Sequence, residues 1–145
     1  MDIFIGSDHR GFELRHEIIN YLANNKNLIL HDLGTFSKEN VDYIEIAINV
    51  SNNVIKTPNS FGILICGSGI GMSIASNKIK GVRSAHCLTP ELAKLAREHN
   101  NANILCLSAE LIFKEENFKI IDTFLKTKPL DVERYKKRND KLSIM

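Results

Sequence analysis

A chain of 145 residues, 43% hydrophobic and 25% charged, can form one domain that buries roughly 70% of its unfolded surface, and its net charge of only +2 excludes the broad basic field of a nucleic-acid binder. Three cysteines without C-x-x-C spacing argue against a disulfide framework and for a reducing compartment, and five histidines without an H-E-x-x-H pattern argue against zinc. No run reaches the roughly 20 apolar residues that span a bilayer, and Met1-Asp-Ile-Phe-Ile lacks a cationic leader, so the expected location is cytoplasmic, with no membrane partner.

The first apolar run, Ile3–Gly6, reads as a strand, and Ser7-Asp8-His9-Arg10-Gly11 turns it into a helix over Gly11–Asn24, with Leu14, Ile18, Tyr21 and Leu22 at helical spacing. A strand over Leu28–Asp32 and a helix over Asp42–Asn53 follow. The third strand, Phe61–Cys66, ends on a thiol, and Gly67, Gly69 and Gly71 lead into a helix over Gly71–Ile79. A fourth strand is expected over Val82–Cys87, then a helix over Pro90–Glu98, capped by Thr89 with Pro90 at its first position. Ile104–Leu107 reads as the fifth strand and Ala109–Leu125 as a helix; after Pro129, a helical tail runs from Val132 to about Ser143. Strands alternating with helices imply right-handed crossovers. The expected fold is therefore a single doubly wound, Rossmann-like α/β domain over residues 1–145, with a five-stranded, mostly parallel sheet and a C-terminal helical tail.

In such sheets ligands bind beyond the carboxyl ends of the strands. The stretch from Cys66 to Gly71 places a thiol where a strand ends and a helix begins. The positive helix dipole and unpaired backbone N–H groups there favour anions, a thiolate among them. Glycine lets a ligand approach the backbone closely. A base beside an oxyanion cradle is the natural reading, whereas Cys87 and Cys106 suit plain packing. Asp8 and His9 follow the first strand, although Asp8 equally suits a helix cap. His99 and Asn100 stand before the fifth strand rather than after one, and both also fit a helix end and turn. Arg134 and Arg138, four residues apart, share a helix face that suits either a phosphate dianion or solvent. Nucleotide motifs fail: G-x-G-x-G is not the dinucleotide fingerprint, and Phe12 and Glu13 stand where a P-loop needs Lys and Ser or Thr. A nucleotide-binding regulatory module at the same sheet edge is the non-enzymatic alternative.

Gly6-Ser7-Asp8-His9 with Gly11-Phe12, Asp32-Leu-Gly34-Thr35, Asp42-Tyr43, Ile65-Cys66-Gly67-Ser68-Gly69-Ile70-Gly71, Asn77-Lys78, His99-Asn100 with Asn103, and Arg134 with Arg138 together resemble type B ribose-5-phosphate isomerase, in the family that also holds the galactose-6-phosphate isomerase subunits. The resemblance spans essentially the whole chain. It implies a homodimer, with a dimer of dimers as a further form, no metal or organic cofactor, and interconversion of ribose 5-phosphate and ribulose 5-phosphate in the pentose phosphate pathway. By the same resemblance, Cys66 is the base that moves a proton between carbons 2 and 1, and His99 opens the furanose ring. Asp8, His9, Tyr43 and Asn100 hold the substrate. The backbone of Gly67, Ser68, Gly69, Ile70 and Gly71 holds the enediolate oxygens, with the Ser68 hydroxyl assisting. Arg134 and Arg138 bind the phosphate by reaching into the partner's site.

Three positions stand out against the family pattern. Glu110 occupies a place where many members have arginine, so it is expected either to turn away from the dianion or to rearrange its binding. Tyr135 replaces a frequent histidine. Met72 occupies the place where one subgroup carries a glutamate base, which groups this chain with the cysteine-dependent members. The enzymatic alternative is isomerisation of a six-carbon sugar phosphate, galactose 6-phosphate or allose 6-phosphate.

Overall fold

A computed structural model describes all of residues 1–145. Five parallel strands form one sheet in the order β2-β1-β3-β5-β4. They are β1 (Asp2–Ser7), β2 (Ile29–Asp32), β3 (Phe61–Cys66), β4 (Ser84–His86) and β5 (Ile104–Ser108). The helices are α1 (Phe12–Leu22), α2 (Tyr43–Lys56), α3 (Ile70–Ser76), α4 (Pro90–Asn100), α5 (Lys114–Lys126) and α6 (Glu133–Ile144), and a single 3-10 turn, His9–Gly11, precedes α1. The doubly wound α/β class is as expected, and the sheet is wholly rather than mostly parallel.

The period-2 alternation of strands divides the core in two. Ile3, Ile5, Ile63, Ile65, Leu105 and Leu107 face α1, α4 and α5. Phe4, Leu64, Cys66, Ile104 and Cys106 face α2 and α3, through Ile46, Ala47, Val50, Val54 and Met72. Each large aliphatic side chain buried in this way stabilises the fold by about 1.5–3 kcal/mol. After β1 the chain passes to the first face, and after β3 to the second. The carboxyl ends of these neighbouring strands, Ser7 and Cys66, thus flank the crevice of a topological switch point.

Several boundaries differ from expectation. The fourth strand is only Ser84–His86; Val82 N–H bonds to Ile79 O in the turn before it. The helix expected from Ala109 starts at Lys114, because Ala109 and Glu110 spend their N–H groups on Cys66 O and Gly67 O, both at 3.0 Å. The third helix ends at Ser76, where the Asn77 carboxamide donates to Ser73 O and Ser84 O. The tail helix α6 buries no residue and rests on the end of α4.

Candidate active site

At the end of β1, Asp8 is buried and its Oδ1 accepts from Arg10 N and Gly11 N, both at 3.0 Å, so the capping role is realised. His9 Nδ1 accepts from Val41 N at 3.3 Å, which leaves the proton on Nε2. At the end of β3, Cys66 is 7% exposed and its Sγ accepts from Gly69 N at 3.0 Å. Gly69 has φ 83°, a left-handed conformation that side chains resist. Ser68 Oγ accepts from Ile70 N at 3.2 Å, leaving its own hydroxyl proton to donate. Tyr43, the first residue of α2, lays its ring so close to Gly71 that an added Cβ would meet it at 2.9 Å. Asp8, His9, Tyr43 and the loop 67–71 therefore gather at one sheet edge.

The other two cysteines are of a different kind. Cys87 and Cys106 are 1% and 0% exposed, and burial pushes both thiols up to about 12. They pack, as expected from sequence.

Glu110 does not stand bare. Both its oxygens engage Nε and Nη2 of Arg10 in a fork, which holds the carboxyl below its ordinary pKa. The Arg10 guanidinium lies over Gly67, where a Cβ would come within 2.4 Å of Cζ. Gly67 O is held from below by the buried Ser108 hydroxyl at 2.7 Å. Sequence reasoning assigned no role to Arg10, although it adjoins His9 in the first turn. His86, which ends β4, reaches the same loop, with its Nε2 2.7 Å from Ser68 O, a contact that the sequence did not suggest.

His99, Asn100, Arg134 and Arg138 do not join this group. Helix α4 runs antiparallel to the strands, and Asn100 O accepts from Arg83 Nε near the start of β4. Ile104 pairs with Gly62 and Ser108 with Cys66, so about 13 Å of strand separates the two edges. His99 stacks on Tyr135 with centroids 4.6 Å apart, and His99 O accepts from Asn139 Nδ2. Arg134 packs over the Tyr135 ring, and both Arg134 and Arg138 are exposed on α6. The candidate residues of one chain thus fall into two groups, at opposite edges of its sheet.

Residues 3–142 match the family described as Ribose/Galactose Isomerase. The chain belongs to that family. Among its relatives, ribose-5-phosphate isomerase B of Escherichia coli is 40% identical over 123 residues, 85% of this chain and 82% of the relative. The crystal structure of a ribose 5-phosphate isomerase from Thermotoga maritima is 48% identical, with a TM-score of 0.92 over 98% of this chain and 97% of that one. A further family structure, ribose-5-phosphate isomerase B from Mycoplasma genitalium with bound ribulose-5-phosphate, is 42% identical, with a TM-score of 0.91 over 98% and 93% of the two chains. The resemblance stated from the motifs, and the fold it implied, thus agree with family membership along nearly the whole chain.

Proposed function

We propose that the chain interconverts ribose 5-phosphate and ribulose 5-phosphate, all of residues 1–145 acting as one sugar-phosphate isomerase domain. The seat of the Cys66 thiol carries this reading: Sγ stands at the switch point, held by Gly69 N–H, at the mouth of a loop of backbone amides. Aldose–ketose isomerisation takes a proton from carbon 2 and returns it to carbon 1, while a proton passes between their oxygens. A weak carbon acid needs both a positioned base and donors where negative charge develops. Cys66 acts as the base, and the amides of Gly67 to Gly71, assisted by the Ser68 hydroxyl, neutralise the enediolate oxygens. Removing one such donor typically costs roughly 3 kcal/mol of transition-state stabilisation. His9 donates from Nε2 to the sugar, and Asp8 and Tyr43 border it. Glu110 is tolerated near a phosphate because Arg10 already neutralises it.

His99, which opens the furanose ring, together with Asn100 and the phosphate-binding Arg134 and Arg138, reaches this centre only from a second copy. The active form is accordingly a homodimer. No helix is long and apolar enough to cross a membrane. A sugar-phosphate substrate and three free cysteines fit a cytoplasmic enzyme.

The test is ketose formation from ribose 5-phosphate, with allose 6-phosphate alongside it. Cys66→Ala is expected to lower turnover by about 10²–10⁴-fold while ribulose 5-phosphate still binds. Near-normal turnover in that variant removes Cys66 from the role of base, and faster turnover of the six-carbon ester reassigns the substrate.

A further inference from the structure

His86 lies at the end of the edge strand β4. Its Nε2 is 2.7 Å from Ser68 O. A carbonyl oxygen only accepts, so Nε2 carries the proton and donates. The peptide unit that owns this carbonyl is Ser68–Gly69, and its N–H is the one that donates to Cys66 Sγ at 3.0 Å. In a trans peptide the C=O and N–H point in opposite directions. His86 therefore grips one end of a single rigid plate whose other end holds the sulfur. The seat is also shaped for the ring: a Cβ on Gly69 would lie 2.7 Å from His86 Cδ2 and Nε2. Gly69 thus supplies a left-handed backbone and room for the imidazole at once.

We propose that His86 is a positioning residue, fixing the Ser68–Gly69 peptide so that its N–H stays aimed at the Cys66 sulfur. Hydrogen bonds in series through one amide polarise each other, so the imidazole donor also strengthens the N–H that meets a thiolate. Without that donor the peptide is free to rotate, as plates in glycine-rich turns do, and the sulfur loses its partner. His86 touches no reacting atom in this scheme; it acts wholly through the loop. The scheme deepens the proposed isomerase function, which makes Cys66 the base, yet its test needs no substrate.

The experiment is the rate of Cys66 alkylation by iodoacetamide as a function of pH, read by mass spectrometry, in the full chain and two variants. His86→Phe keeps a ring on Gly69 and removes the donor; His86→Gln keeps an N–H donor. In His86→Phe, Cys66 alkylation at pH 7 is expected to fall about three- to tenfold, the value of one lost hydrogen bond. The rate above about pH 10, where an ordinary thiol is ionised regardless, is expected to stay unchanged. His86→Gln should remain near the unmodified protein. Absence of alkylation at Cys87 and Cys106 in the same spectra establishes that a variant is folded. Superimposable curves for the unmodified protein and His86→Phe overturn the proposal, as do equal losses in both variants, which would assign the effect to ring packing. The unmodified protein supplies a second check: nitrogen NMR of His86 must show the proton on Nε2, and a proton on Nδ1 alone overturns the hydrogen bond itself. Inertness toward ribose 5-phosphate with these results intact would remove the isomerase function and leave the role of His86 standing.

Discussion

Two inactive variants should restore each other. Cys66→Ala removes the proposed base from one half-site, and Arg134→Ala with Arg138→Ala removes the phosphate ligands from the other. Helix α4 cannot swing to bring both halves together within one chain. Ala93 and Ala96 are sunk in the core, and the Arg97 guanidinium is tied to Asn101 Oδ1 and Ala102 O, at 2.8 and 2.5 Å. The end of α4 thus stays about 13 Å of strand away from Cys66, and α6 rests on that end. If two copies share their sites, a hybrid dimer has one site with both lesions and one with none. Random assortment makes half of the dimers hybrid, so an equimolar mixture should recover about one quarter of the unmodified activity. Activity is measured as ketose formation after the variants are unfolded and refolded together, with light scattering reporting the dimer. A mixture that exchanges subunits yet stays at the level of the separate variants would refute the shared site. So would a fully active protein that remains monomeric at assay concentration.

Other perturbations test the supports of the site. Gly69→Ala places a side chain at φ 83° and against the His86 ring, so it should cost roughly 1–2 kcal/mol of stability from backbone strain alone and lower turnover more than tenfold; denaturant titration and the ketose assay check the two effects separately. Arg15 is fully buried, donates to Ser7 Oγ at 3.1 Å and to Thr35 O, and has Nε 3.0 Å from Asp32 Oδ1 but off the hydrogen-bond line. Arg15→Met should destabilise by about 2–3 kcal/mol, less than a fully buried pair, because the Asp32 side chain is 33% exposed; an unchanged urea midpoint would contradict this. Cys87 and Cys106 stay neutral when folded, with pKa values raised from 9.0 to about 12. Their contribution is present in full below pH 9 and lost as pH rises from 9 toward 12, so stability should fall across that window, less steeply after Cys87→Ala, as alkaline denaturation would record.

What the sequence revealed, and what it concealed, follows from how far apart the interacting groups lie along the chain. The inner strands β1, β3 and β5 were legible because a strand covered on both faces reads as an unbroken apolar run, as in Phe61–Cys66. The cap of α4 was legible because Thr89 and Leu92 are three residues apart. The start of α5 was not, since Ala109 and Glu110 look helical locally but bond to the carbonyls of Cys66 and Gly67, more than forty residues earlier. Cys66, Cys87 and Cys106 differ little in sequence beyond their flanking glycines; a slightly shallower place in the sheet and a single amide donor are what set Cys66 apart from the other two. Glu110 read as an isolated anion because Arg10 lies 100 residues away, and the fork between them forms only when the ends of β1 and β5 are brought to one edge of the sheet. His86 and Ser68 are separated by a helix for the same reason. A motif names the groups that touch substrate, whereas the groups that aim them are chosen by the fold. Glu110 is therefore to be read together with Arg10, as a pair whose charges cancel.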